Sequence, residues 1–209
     1  MPTVEGANLL HQFDFDGNLA DTVASGVSLT VHPDTASHGF SSGAWWWTAT
    51  DDPGGGLILE TDRITDPAAY SIGLRFRFNE VGPSWVKIIS FLGDEDDGGL
   101  YFYGGYLQLY PFPEDDTRLF QPGVYYDLIL SRDIDGTVEV YAIDSSQTIT
   151  KVYSEDDEFD DTIPVQVSNG PLRRFAFFMD DDATEVEWTS GGAVTSIRVW
   201  DGPITTIRF

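Results

Sequence analysis

The nine residues Tyr70 to Phe78, YSIGLRFRF, alternate without a break: Tyr70, Ile72, Leu74, Phe76 and Phe78 share one face, and Ser71, Gly73, Arg75 and Arg77 the other. A period of two puts successive side chains on opposite sides of an extended chain, so this segment reads as a strand with one buried face. No stretch of similar length keeps a helical period. The 21 glycines and 11 prolines are spread along the whole chain and leave little room for long helices. A fold built from strands follows.

Turn signals divide the rest of the chain. In YFYGGYLQLY (101–110), Gly104-Gly105 separates two aromatic-rich arms and predicts a hairpin. In VYYDLILSRDIDGTVEVYAID (124–144), Asp135-Gly136 marks the tip of a second hairpin. Thirteen strands are predicted, near 8–15, 27–31, 44–49, 57–60, 70–78, 85–92, 100–103, 106–110, 124–132, 137–143, 148–153, 172–179 and 192–200. Short strands punctuated by Gly, Pro and Asp predict an all-β chain of two packed antiparallel sheets. The first and last strands are both expected in the sheet interior. The acidic run SEDDEFDD (154–161) is read as solvated and not as a domain boundary, because it is short and strand-like sequence resumes on both sides. One domain, 1–209, is expected.

Charge narrows the function. The 35 acids against 11 bases give a formal charge of −24, which argues against a nucleic-acid partner because phosphates would be repelled at long range. No apolar run approaches a membrane span. The first residues carry no signal-peptide pattern, so for a secreted protein the signal is expected outside this sequence, as in a domain of a longer precursor. There is no cysteine, which excludes disulfides and thiolate chemistry. Aspartates outnumber glutamates twenty-five to ten. Short carboxylates clustered in turns suit calcium, and they also suit a solubilising surface in salty surroundings.

The order of features resembles the laminin-G-like branch of the concanavalin A-like lectin and glucanase superfamily. The opening FDFDGNLADT (13–22) is similar to the family's F-D-G-x-L-x-D phrase. The closing Gly192-Ala193-Val194-Thr195-Ser196-Ile197-Arg198-Val199-Trp200-Asp201-Gly202-Pro203-Ile204-Thr205 is similar to its G-x-V-x-x-I-R-x-[FYW]-D-x-x-[LI]-T. The resemblance implies a two-sheet antiparallel jelly-roll sandwich with one concave sheet. It also implies, as in many members, a calcium ion at the rim or where the termini meet, and recognition of glycans or proteins at the rim or concave face. Asp181 and Asp182 correspond best to an acidic pair that this branch carries before its last strand.

Candidate calcium ligands are therefore Asp180, Asp181 and Asp182, which follow an apolar run. A second loop must complete the six to eight oxygens that calcium needs: Asp94, Asp96 and Asp97 in GDEDDGG, or Asp16 and Asp21 near the start. Candidate ligand-binding aromatics are Trp46, Trp85, Tyr103 and Trp188. Trp45-Trp46-Trp47 predicts Trp45 and Trp47 in the core, with Trp46 pointing away from it. The histidines His11, His32 and His38 share no metal spacing, and no G-x-S-x-G elbow accompanies them.

No catalytic residue is assigned. The laminarinase-like members carry E-x-D-x-x-E; Glu60-Thr61-Asp62 begins that way, but the second glutamate is missing. Glu185-Val186-Glu187 alternates without a third acid. Tyr101 to Gln108 is near the Y-F-K-x-G-x-Y-x-Q phrase of alginate lyases, but lacks its lysine and is one residue short. A polyanionic substrate would need a basic patch, for which only Arg75, Arg77, Arg173 and Arg174 offer themselves. The expected function is a non-catalytic extracellular or cell-surface binding or adhesion module for a glycan or protein, with structural calcium. A self-associating surface subunit and a diverged glycoside hydrolase or polysaccharide lyase are the alternatives.

Overall fold

The structure, a computed structural model, describes residues 3–49, 55–82, 85–93, 97–112, 114–158, 160–168, 170–179 and 190–208. Eighteen strands are formed, and no helix is present among the described residues. In chain order they are β1 (Thr3–Glu5), β2 (Leu9–Phe13), β3 (Thr30–Val31), β4 (His38–Ser41), β5 (Ala44–Trp47), β6 (Leu57–Thr61), β7 (Tyr70–Phe78), β8 (Trp85–Ser90) and β9 (Gly99–Tyr103). Then follow β10 (Tyr106–Tyr110), β11 (Glu114–Arg118), β12 (Tyr126–Arg132), β13 (Thr137–Ile143), β14 (Ile149–Asp156), β15 (Val165–Gln166), β16 (Arg173–Phe177), β17 (Gly192–Trp200) and β18 (Thr206–Arg208).

Two eight-stranded antiparallel sheets face each other as a jelly-roll-like sandwich. Sheet I runs β11-β10-β9-β8-β16-β6-β3, with β15 beside β16; sheet II runs β14-β13-β12-β7-β17-β5-β4, with β2 beside β17. The alternating segment that opened the sequence reading is β7, between β12 and β17 in the middle of sheet II. Its five in-phase apolar residues are all at most 2% exposed. Across the core, Leu57 and Leu59, Val86 and Ile88, Leu100 and Phe102, Leu107 and Leu109, and Phe175 and Phe177 supply the inner face of sheet I. Phe78 meets Phe102 at 4.6 Å between centroids, and Trp47 stacks on Phe178 at 4.7 Å. Full burial of each such side chain contributes about 1.5–3 kcal/mol.

The predicted hairpins form at the predicted tips. Gly104 and Gly105 both have positive φ (57° and 96°), the conformation a two-residue turn demands. At the second tip the Asp133 carboxylate accepts from the N–H groups of Asp135 and Thr137. Trp45 (0% exposed) and Trp47 (2%) are core, as the strand parity requires. The last long strand, β17, is interior, but β2 is not: its one strand partner among the described residues is β17, and a loop group takes its other side, where Thr22 donates to the Gln12 carbonyl.

The chain ends meet. β1 pairs with β18, and Asp201 of the closing phrase clamps Asn8 through a backbone contact of 2.7 Å and a side-chain contact of 2.9 Å. The segment following β17 crosses the outside of sheet II, where Ser71 donates to the Gly202 carbonyl and Ile204 N–H donates to Ser131.

Candidate functional site

The outer face of sheet I carries a group of partly accessible aromatic rings. Val86, Leu100, Phe102, Leu107 and Leu109 face the core, so alternation turns Trp85, Tyr101, Tyr103, Tyr106, Gln108 and Tyr110 outward. Cross-strand register aligns Trp85 with Tyr103 and Tyr103 with Tyr106 in one row, and Lys87 with Tyr101 and Tyr101 with Gln108 in the next. Trp85 and Tyr103, singled out separately in the sequence, stack on one another at 4.7 Å and 29°. Both are half-buried, and Tyr110 is 38% exposed. Beneath them the Lys87 ammonium lies 4.9 Å from the Tyr101 ring centroid, although Lys87 is only 2% exposed. Cation–π attraction is stronger for a desolvated ammonium, so this pair stiffens the floor of the face. Gln108 donates its amide N–H to the Phe112 carbonyl at 2.7 Å, which fixes the side-chain plane.

Asp97 belongs to this face. It accepts the Tyr101 hydroxyl through its backbone oxygen (2.8 Å) and its carboxylate (3.2 Å). Its sequence companions Asp94 and Asp96 lie outside the described residues, as do Asp180, Asp181, Asp182, Glu185, Glu187 and Trp188. Asp16 is exposed at the tip of the loop after β2. Asp21 is not at a rim: its side chain is fully buried, and its carboxylate accepts from His11 Nδ1 (2.5 Å), Gln12 N–H (3.1 Å) and Val23 N–H (2.7 Å). Those donors occupy the oxygens that a cation would need. Among the described residues, no three His, Asp or Glu side chains gather as a metal shell.

His11 continues the chain of contacts, its Nε2 lying 2.7 Å from Thr61 Oγ1. The pattern assigns Nδ1–H as donor to Asp21 and Nε2 as acceptor from Thr61. Asp-His-Thr has the connectivity of a catalytic relay. Here, however, His11 is 0% and Thr61 2% exposed, and the hydroxyl also accepts the Arg63 N–H, so no substrate reaches it. Burial lowers the His11 pKa, against the opposing pull of Asp21. For Asp21, burial pushes the carboxyl up, but the N–H donors of Ala24, Gln12 and Val23, with His11, outweigh it and hold the group below its usual value. The network is a polar strut between β2 of sheet II and β6 of sheet I. Glu60, the start of the near-match to a glycosidase phrase, is paired with Arg174 at 2.7 Å.

The acidic turn after β14 also departs from expectation. Asp157 is not solvated: its side chain is 0% exposed and faces Arg132, itself 1% exposed, at 3.3 Å. Thr162 bridges the two, and Asp160 takes the other side of the guanidinium at 2.7 Å.

Trp46 lies on the other sheet. It is half-buried on the outside of sheet II, its ring over Gly39 of β4, where an added Cβ would come within 3.2 Å of it. The same face holds Arg75 and Arg77, whose guanidinium carbons each lie 5.7 Å from the Tyr125 ring centroid. Arg173 and Arg174 are on β16 of sheet I, so the four arginines form no single patch. A cleft of about 210 Å³ opens beside the β13–β14 hairpin between Leu119, Tyr126 and Val152. Its one carboxylate, Asp144, is committed to Ser146 and Thr148 of its own turn.

No family model matches the sequence, and no curated protein matches it. Solved structures do share the fold. Domain 4 of AbnA, a GH43 extracellular arabinanase from Geobacillus stearothermophilus in complex with arabinotriose, superposes with a TM-score of 0.64 at 15% identity over 96% of each chain. Trypanosoma rangeli sialidase in complex with sialic acid gives 0.64 at 13% identity, over 93% of this chain but 31% of the sialidase. The binding domain of botulinum neurotoxin serotype D gives 0.56 at 12% identity, over 93% of this chain and 48% of that one. At these identities the likeness establishes a shared β-sandwich fold.

Proposed function

We propose that the chain is a non-catalytic, extracellular glycan-binding module, a single domain with a laminin-G-like jelly roll of the concanavalin A type, and that sugar docks on the outer face of β8, β9 and β10. The observation that carries this reading is the stacked, half-exposed pair Trp85–Tyr103, extended by Tyr106, Gln108 and Tyr110. Flat rings at the surface offer an apolar plane to the C–H face of a sugar. Gln108, with one N–H donated to Phe112, keeps its carbonyl oxygen as an acceptor for a sugar hydroxyl. The rigid floor of Tyr101 and Lys87 reduces the ordering cost of binding. That the arabinanase domain of the same fold was captured with arabinotriose supports a saccharide ligand and an extracellular setting.

The test is calorimetric titration of neutral oligosaccharides, arabinotriose first, against the wild type and the Trp85→Ala and Tyr103→Ala variants. Each variant is expected to lose tenfold or more in affinity, about 1.4 kcal/mol. A ligand that binds Trp85→Ala as tightly as the wild type would refute this face as the site.

A structural calcium ion is the second part of the proposal. Its support is chemical: Asp94, Asp96 and Asp97, and Asp180, Asp181 and Asp182, are short carboxylates clustered in two stretches of the sequence, the ligand type a hard cation takes. An ion bound only by the folded state stabilises by mass action, so excess chelator is expected to lower Tm. An unchanged melt rejects the ion and leaves the aromatic face untouched.

A further inference from the structure

We infer that the outer face of sheet II holds a second saccharide site, built around Arg77, Arg75 and Asp127, for a carboxylate-bearing sugar unit of the uronic acid class.

The charge distribution comes first. In a chain of net charge −24, five of the described bases are already paired with acids: Arg174 with Glu60, Lys151 with Glu139, Arg208 with Glu5, Arg132 with Asp157 and Asp160, and Arg75 with Asp127. Arg77 differs. It bonds the neutral amide of Asn79 at 2.6 Å and lies against the Tyr125 ring, with no carboxylate in salt-bridge range among the described residues. Arg75, two positions earlier on the same face of β7, flanks the same ring and pairs with Asp127. Arg198 stands across from Gly73 in the neighbouring strand register, so a third guanidinium-bearing residue belongs to this face. Screening confines the repulsion from the rest of the acidic surface to roughly 8–10 Å at ordinary salt. A local contact with these arginines therefore survives the net charge.

Asp127 supplies the second, independent observation. Its side chain is 8% exposed, and Oδ2 receives Arg75. Oδ1 is buried and has no hydrogen-bond partner among the described residues. A buried acceptor without a donor calls for one. A ligand for this face must therefore bring an anion for the guanidinium fork and, beside it, a hydroxyl that donates to Asp127. A uronic acid carries both on one ring, and Arg geometry matches a carboxylate through two parallel N–H donors. Trp46 lies on the same sheet face two strands away from Arg77, across Ala193, about 10 Å at the usual strand spacing. It offers a flat ring to the next sugar in the chain.

The experiment titrates the full chain with a galacturonic acid trimer and with its methyl ester, which keeps the hydroxyls and removes the charge. The trimer is expected to bind saturably, and the ester at least tenfold more weakly. Arg77→Gln, at a half-buried position, is expected to lose at least tenfold for the trimer with its Tm unchanged, Arg77→Lys to fall between, and Trp85→Ala to bind like the wild type. No saturable heat with the trimer, equal affinity for the ester, or unchanged affinity in Arg77→Gln overturns the site. Trimer binding lost in Trp85→Ala assigns it to the other face and overturns the site equally. Failure of neutral sugars to bind the Trp85 face bears on the proposed function alone.

Discussion

Replacing Asp157 by alanine removes the carboxylate against which Arg132 is buried. Both side chains are almost fully enclosed, at 0% and 1% exposure. Asp157 also accepts from Thr162 N–H (2.9 Å), Thr162 Oγ1 (2.5 Å) and Asp161 N–H (2.8 Å), so the substitution strips acceptors from several donors at once. Breaking a buried pair by deleting one partner costs about 3–5 kcal/mol, since the surviving charge is left in a poor dielectric. Arg132 keeps Asp160 and the carbonyls of Ala68 and Asp133, which places the loss at the lower end, about 3 kcal/mol. At this chain length that corresponds to a fall in Tm of about 6–12 °C. Asp160→Ala, whose side chain is 67% exposed, is the control and is expected to cost about 0–1 kcal/mol. Urea unfolding at pH 7 measures all three proteins. The double variant Arg132→Met/Asp157→Leu adds a cycle: an apolar pair of similar volume is expected to recover most of the loss. Asp157→Ala within about 1 kcal/mol of the wild type, or no worse than Asp160→Ala, refutes the reasoning.

His11 gives a pH signature: its folded pKa lies below 6.5, so between the two values the unfolded chain binds the extra proton. Stability is whole above about 6.5 and declines as pH falls toward the folded pKa; His11→Gln is expected to flatten that decline between pH 7 and 5, and parallel profiles would reject it. Gly192→Ala would press a Cβ to 2.5 Å from the Arg77 carbonyl and 2.7 Å from the Trp47 ring, and is expected to cost about 1–3 kcal/mol in a denaturant melt. Asp201→Ala removes the clamp on Asn8 and is expected to cost about 1 kcal/mol, with faster amide exchange in β1 and β18 and unchanged exchange in β7.

Much of the scaffold was legible because strands advertise themselves locally. The period of two in YSIGLRFRF and the Gly-Gly and Asp-Gly tips depend on neighbours in sequence, and β7, β9, β10, β12 and β13 fall where those signals are. The strands that were missed lack such a signal or owe their existence to a distant partner. β1 and β18 are three-residue strands paired across the whole chain, and β11 reads EDDTR, with no apolar residue to mark a face. β4 did leave a trace: Ser42-Gly43, both at positive φ (54° and 71°), is a tight turn between HGFS and AWWW. At the candidate site, Trp85 and Tyr103 were each readable as surface aromatics, but their stacking depends on β8–β9 register. Sequence spacing of 18 residues says nothing about register.

Buried charge was the larger omission, and strand parity explains what could have been seen. In β12, Leu128 and Leu130 face the core, and the next in-phase residue is Arg132. In β2, His11 is in phase with Phe13. A titratable residue at a core-parity position cannot be left alone, because an unpaired buried charge costs more than most folds possess in net stability. Each therefore implied a partner, and the partner lay in a nearby acidic stretch read otherwise: Asp157 within SEDDEFDD, taken for solvated charge, and Asp21 within FDFDGNLADT, taken for a calcium ligand. Local composition makes those aspartates look like solvent-facing charge or cation ligands. The strand opposite decides otherwise, so in a chain this acidic the few bases and histidines in phase with the core are better guides to buried carboxylates than the carboxylates themselves. Lys87 marks where that rule stops. It is out of phase with Val86 and belongs to the outer face, yet it is buried, with its ammonium against the Tyr101 ring. A base hidden on an outer face is enclosed by its neighbours there, the Tyr101 ring among them, and strand parity alone does not announce it.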